Sequence, residues 1–284
     1  MKLFSFFKLM RINQWYKNLV IFLPLLFLGK FFELTLWKEL FLGFLSLSLV
    51  SSSGYILNDI LDRKKDQAHP EKKNRPIASG ISKVKESIIF AVLLFILGMF
   101  LAYQLPIFFF LSVLALFVLT QFYSLFFKHV VFVDILLIAI NFVIRAVSGT
   151  FVLNAVISPW LILCTFFLSL FLSVGKRKAD LHFLQEDATI HRRTLLSYTE
   201  AITNALLIIA TASLILSYSL YSISSNFHWL LLSLPFALYT VFRYLSFVYS
   251  DSAIARHPEK VFLDWRMDIA ITLWILVVLF VTYF

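Results

Sequence analysis

Charge is scarce in this chain, and acidic charge is scarcest. Its 284 residues include 16 Asp and Glu against 25 Lys and Arg, and the four types together make up 14%. Soluble domains carry about 25% charged residues. With 61% hydrophobic residues the chain exceeds what a buried core can absorb, which excludes an ordinary soluble domain. Cysteine is almost missing. Cys164 stands alone in an apolar stretch, so no intrachain disulfide framework exists and packing is its plain role. The N-terminus lacks a small-residue cleavage site, which argues against a signal peptide. Its Phe and Leu residues mix with Lys2, Lys8, Arg11 and Lys17, the composition of an interfacial amphipathic segment. No linker, low-complexity tract or soluble stretch divides the chain, so residues 1–284 are expected to form a single transmembrane domain.

What is present is a series of hydrophobic runs. A membrane helix needs about 20 mostly apolar residues. Nine candidates meet that standard: 18–35, 38–57, 84–104, 107–127, 131–152, 158–175, 200–222, 228–249 and 267–284. Pro24 interrupts the first, and the turn Gln104–Pro106 makes a tight hairpin of the third and fourth. The basic residues orient the set. With the N-terminus in the cytoplasm, only Lys30 and Lys38 fall outside, and Arg145 and Arg243 fall within spans. All the others lie in or beside cytoplasmic segments, as the positive-inside rule requires. Nine spans then put the C-terminus outside. A net charge of +9 raises nucleic acid as a partner. The basic residues punctuate hydrophobic spans, however, so the bilayer, anionic lipid and anionic substrate are the expected partners and nucleic acid is not.

The first charged loop, within 58–83, carries the clearest chemistry. It begins Asn58-Asp59-Ile60-Leu61-Asp62, with Asp66 one turn further on. Asp59, Asp62 and Asp66 share one face of a helix continuing from the second span, and Asn58 stands one turn before Asp62. Carboxylates crowded at a membrane surface repel one another unless a cation neutralises them. Oxygen ligands without His or Cys favour a hard ion, Mg²⁺, which usually shares its shell with substrate phosphates. Lys72 and Arg75 follow as direct phosphate contacts. His69, before Pro70, reads as an extended turn residue. The surrounding Arg63, Lys64, Lys65 and Lys73 read as solvated charge.

The stretch NDILDRKKDQAHPEKKNRPIASG, residues 58–80, resembles the first signature of the UbiA superfamily of membrane prenyltransferases. Its pattern, N-D-x-x-D-x-x-x-D followed by H-P-x-K-x-x-R-P-I-A-x-G, is matched throughout. The resemblance implies an all-α integral membrane fold of nine helices around a central cavity open to the cytoplasm. It also implies Mg²⁺ at Asn58, Asp59, Asp62 and Asp66, with the three aspartates as the catalytic set.

The second charged loop, within 176–199, departs from the superfamily. A second aspartate-rich motif belongs after the sixth span. Here the sequence reads Gly175-Lys176-Arg177-Lys178-Ala179-Asp180-Leu181, with bases where acids are expected. That exchange inverts the local field and suits direct binding of a further anion. It resembles the polyprenyl-phosphate (decaprenyl-phosphate) phosphoribosyltransferase branch. So do Arg11-Ile12-Asn13-Gln14-Trp15-Tyr16-Lys17-Asn18 at the entrance, Tyr123 to His129, Asp134, and Ile144-Arg145-Ala146 with Gly149. The branch implies 5-phosphoribosyl transfer from phosphoribosyl pyrophosphate (PRPP) to a polyprenyl phosphate, serving cell-envelope lipid-linked pentose synthesis in a bacterial cytoplasmic membrane.

The other candidates are Lys17, Tyr123, Lys128, Arg145, Lys176, Arg177 and Asp180 for substrate, with Arg11, Gln14, Asn18 and Asp134 beside them. Arg145 is an intramembrane cation, and either reaches a phosphate or pairs with a carboxylate such as Asp134. Asp134 orients Lys128 or Arg145, or serves as a ligand. Lys17 either touches phosphate or snorkels to the interface. Two rival readings stay open: prenyl transfer to an aromatic acceptor, and a transporter or lipid-binding protein without catalysis. The sequence leaves homo-oligomerisation open.

Overall fold

A computed structural model of the chain describes residues 3–68, 70–184, 197–227, 229–250 and 252–283. His69, residues 185–196 of the second charged loop, and with them His191, Arg192 and Arg193, lie outside the described residues. Among the described residues the regular elements are all helical. They are α1 (Leu3–Met10), α2 (Leu23–Phe27), α3 (Leu34–Leu61), α4 (Arg63–Ala68), α5 (Val84–Tyr103), α6 (Ile107–Leu125), α7 (Val133–Val152), α8 (Pro159–Leu184), α9 (Glu200–Ser224), α10 (Leu234–Tyr249), α11 (Ala253–Arg256) and α12 (Trp265–Tyr283). Short 3₁₀ segments join several of them. Eight of the described helices are long and apolar enough to cross a membrane: α3, α5, α6, α7, α8, α9, α10 with the turn before it, and α12. The protein is an integral membrane protein.

The first hydrophobic run is not one straight helix. Ile12–Phe22 is 3₁₀, α2 is one short turn after it, and Leu28 to Glu33 has no regular helix. Pro24 explains the change. Its ring fixes φ and offers no N–H, which suits the first turn of a new helix and not the interior of an old one. Gly29, at φ 68°, then ends α2 in the left-handed conformation that glycine adopts without a Cβ clash.

This broken segment is held inside the bundle. Ile21 and Leu25 are fully buried and pack with Leu40, Leu47, Phe109, Val113 and Val152 from α3, α6 and α7. Contact with α7 is at backbone range: a Cβ built on Gly149 would lie 2.1 Å from the Ile21 carbonyl oxygen. Small polar residues do similar work between α3 and α5. Ser46 Oγ donates to the Gly98 carbonyl at 2.8 Å, and a Cβ on Gly98 would fall 2.6 Å from Val50 Cγ2. Small residues let membrane helices approach where no hydrophobic effect drives them together.

Successive helices pack as neighbours: α6 on α7, α7 on α8, α8 on α9, and α10 on α12. The last helix returns to the first segment. The Phe31 N–H donates to the Tyr283 hydroxyl, and the Phe27 and Trp274 rings stand 6.2 Å apart. Between α2, α8, α9, α10 and α12 lies an apolar cavity of about 560 Å³, with Phe27, Leu168, Tyr218, Val241 and Trp274 among its walls. That volume falls in the range of small-molecule sites, about 300–1,000 Å³.

Gly149→Ala is expected to cost at least the about 1–3 kcal/mol of an overpacked core, because a backbone carbonyl and not a pliable side chain stands in the way. Thermal unfolding of the purified variant in detergent checks this, and an unchanged midpoint would contradict it.

Candidate active site

The helix that carries the acidic loop stops in the middle of the motif. α3 ends at Leu61, Asp62 caps it at φ −90° and ψ 4°, and α4 starts at Arg63. Helical hydrogen bonds still run across the break: Asp62 N–H to the Asn58 carbonyl at 2.9 Å, and Asp66 N–H to the Asp62 carbonyl at 2.8 Å. Asp59 and Asp66 are buried, at 3% and 4% exposure. Burying a carboxylate unpaired is prohibitive, and each acid of the motif has a fixed cation. Arg11, from the turn after α1, pairs with Asp59 through Nη2. Arg75 Nη1 donates to Asp59 Oδ1 at 3.0 Å and to Asp66 Oδ2 at 2.6 Å. Lys128, from the turn between α6 and α7, donates to Asp62 Oδ1 at 2.6 Å. Lys72 sits on the 3₁₀ turn just before Arg75.

The donor set suits Mg²⁺. Among the described residues no three His, Cys, Asp or Glu side chains stand close enough together to hold a metal ion. Two carboxylates do converge, since Asp59 and Asp66 accept from the same nitrogen of Arg75. Mg²⁺ is typically held by one or two carboxylates and takes its other ligands from water and substrate phosphate.

The second loop builds a different node. Arg177 on α8 is 3% exposed and Asp134 on α7 is fully buried. Arg177 Nε donates to Asp134 Oδ2 at 3.1 Å, and Arg177 Nη1 stands 3.5 Å from Asp180. Tyr198 donates to Asp134 Oδ1 at 2.5 Å and accepts from the Phe132 N–H at 3.1 Å. Burial and the hydrogen bond to Asp134 raise the Tyr198 pKa. Tyr123 lies within electrostatic range of Arg177. Asp134 therefore pairs with Arg177, where the sequence suggested Lys128 or Arg145. Lys178 is turned away to Asn204 and the Tyr249 ring.

The two loops lie at one end of the bundle, joined by a third. Lys176 Nζ donates to the Arg256 carbonyl, and Arg256 Nη1 pairs with Glu71 of the first loop at 3.0 Å. His257 lies between Glu71, at 3.5 Å, and Glu259, at 3.3 Å. Burial pushes the Glu259 carboxyl up. The His257 hydrogen bond, its own backbone N–H and the charges of His257 and Lys176 outweigh that and hold it at about 2.

The entrance segment supplies the floor. Lys17 and Arg11 lie 6.0 and 5.5 Å from the centre of the Tyr55 ring on α3, within cation–π reach. Gln14 is placed by its N–H on the Arg11 carbonyl, 2.7 Å away. Asn18, 1% exposed, donates to Ser48 at 3.0 Å and accepts from Arg145 Nε at 2.8 Å. Arg145 is thus held deeper than the acid cluster, and among the described residues it has no carboxylate partner.

Sequence reasoning missed Tyr55 and Tyr198, whose roles depend on contacts far along the chain. It did not find the contacts of the 250–266 stretch either. A signal existed there: His-Pro-Glu-Lys occurs at 69–72 and again at 257–260, and the two copies meet through Glu71 and His257.

Comparison with known proteins gives the class. The chain belongs to the UbiA prenyltransferase family, which it matches over residues 19–265. It is 29% identical over 268 residues to a protein of Mycobacterium tuberculosis named decaprenyl-phosphate phosphoribosyltransferase, covering 92% of this chain and 88% of that one. It is 27% identical to the protein of that name from Corynebacterium glutamicum, covering 97% and 86%. In fold it resembles a UbiA homolog from Archaeoglobus fulgidus solved with GPP and Mg²⁺, at TM-score 0.75 and 17% identity over 99% of this chain and all of the other.

The Glu259 latch sets a pH dependence. Its folded pKa, about 2, lies below the ordinary 4.5. The contribution to stability is complete above 4.5 and is lost as the pH falls towards 2. The gap in unfolding midpoint between the native protein and Glu259→Gln should hold steady near pH 5 and close on further acidification. A gap that widens in acid would refute the latch.

Proposed function

We propose that this protein transfers the 5-phosphoribosyl group of PRPP to a polyprenyl phosphate and releases pyrophosphate; its M. tuberculosis relative is named decaprenyl-phosphate phosphoribosyltransferase. The observation that carries this reading is the division of charge at one end of the bundle. Asp59, Asp62 and Asp66 form an acidic pole, and Lys176 with Arg177 forms a basic one where a second acidic motif is expected. Two anionic substrates in one cavity require such an excess of positive groups. An aromatic acceptor does not.

In this reading Ile12–Phe27 is the first of nine crossings, the chain is one domain, and the charged loops face the cytoplasm with the C-terminus outside. Asp59 and Asp66 would hold Mg²⁺, with Asn58 and Asp62 of the same motif beside them, and the ion would supply charge neutralisation on the pyrophosphate. Arg75 and Lys72 contact the diphosphate, while Lys128 holds Asp62 in place. Lys17, Lys176 and Arg177 receive the remaining phosphates, with Asp134 and Tyr198 fixing the Arg177 guanidinium. Tyr123 and Asp180 border the same pole.

The reaction is a displacement at C1 of the ribose. The C1–O bond to pyrophosphate breaks and the pyrophosphate leaves with the electron pair. A lipid phosphate oxygen forms the new bond from the opposite face, through an oxocarbenium-like state and with inversion. The phosphate is already an anionic nucleophile, so no general base is needed. Fixed cations stabilise the charge that builds on the leaving group. The isoprenoid tail takes the 560 Å³ apolar cavity beside the site.

Purified protein with Mg²⁺, PRPP and polyprenyl phosphate should release pyrophosphate and form a lipid-linked phosphoribose visible by mass spectrometry. A labelled prenyl diphosphate with an aromatic acceptor should give no transfer. Asp62→Asn should lower kcat/KM by about 10²–10³-fold, as losing a preorganised electrostatic group does. Full activity in Asp62→Ala, or no release with Mg²⁺ present, would overturn the assignment.

A further inference from the structure

Arg145 carries a charge that no acid among the described residues answers. It is 6% exposed in the middle of α7 and, among the described residues, makes no ion pair. Its hydrogen bonds run from Nε to Asn18 Oδ1 at 2.8 Å and from Nη1 to the Asn141 carbonyl at 3.0 Å, and Nη2 is in neither. A lone cation inside a membrane protein is costly, and a fixed counter-charge or a bound anion removes most of that cost.

A small cavity of about 10 Å³ lies against the guanidinium, between α3, α6 and α7, with Ser51, Gly54, Tyr55 and Thr120 among its walls. Ser51 is 8% exposed and its Oγ is buried without a hydrogen-bond partner. Gln121 Nε2 is buried and unpartnered too. It stands next to the cavity, since a Cβ on Gly54, which lines it, would lie 3.2 Å from that nitrogen. The groups gathered here are donors: a guanidinium nitrogen, a side-chain amide N–H and a serine hydroxyl. Donors left unmet in a low-dielectric interior are costly.

The volume and the donor set select the occupant. A cavity of about 10 Å³ has room for one particle about the size of a water molecule. A water would accept from two of these donors but bring two hydrogens of its own and no charge. A monatomic anion accepts from every donor and neutralises the guanidinium. We propose that this cavity is a halide site, with one chloride-sized ion held by Arg145, Ser51 and Gln121 and joining α3, α6 and α7 at mid-bundle. The site does not depend on the transfer reaction proposed above.

The test uses the unmodified protein. Crystals grown with bromide replacing chloride should show an anomalous bromine peak in contact with Arg145 and Ser51. In solution, the unfolding midpoint should rise with the logarithm of chloride or bromide concentration when gluconate keeps ionic strength constant. Arg145→Gln should abolish that dependence. If that variant does not fold, Ser51→Ala should weaken it. No bromine peak at this place overturns the proposal. So does density there that persists in halide-free gluconate, which marks a water. Loss of the peak on adding PRPP also overturns it, since the place would then belong to a donor phosphate.

Discussion

Carboxylates can be buried beside a bilayer only if fixed cations hold them, and the charged end of this bundle is organised by that constraint. Asp59 and Asp66 are almost out of water, and one guanidinium, that of Arg75, spans both. Arg11 reaches Asp59 from 48 residues away, and Lys128 reaches Asp62 from 66 residues away. These pairs pin the entrance segment and the α6–α7 turn to the end of α3. The break in α3 at Asp62 lets successive acids address different partners.

The opposite pole obeys the same rule with the signs exchanged. Arg177 is the buried base, and Asp134 and Tyr198 compensate it. Removing one member of a buried pair strands the other, at about 3–5 kcal/mol. Positioning and stability are therefore inseparable at Arg177. Glu71, Arg256, His257 and Lys176 then tie the two poles together through the third loop.

Much of this was legible in the residues. The hydrophobic runs marked eight helices to within a few positions, apart from extensions such as α8 reaching Leu184. Pro24 signalled the broken first segment. The acidic motif and the basic substitution at Lys176 and Arg177 identified both poles. Partner choice was not legible. Asp134 is six residues from Lys128 and eleven from Arg145, yet it bonds to Arg177 and Tyr198, because helix packing and not sequence distance decides which groups meet. Tyr198 carries no local pattern, and Tyr55 looked like one more aromatic residue among many in the membrane.

The contact between Ile21 and Gly149 reaches beyond this one chain. With an oxygen 2.1 Å from where a methyl group would begin, position 149 tolerates hydrogen and nothing larger. A related sequence with any side chain at the equivalent place must route its opening segment elsewhere. That single letter thus reports, before any coordinates exist, whether the start of such a chain is wedged among its helices or lies along their outside.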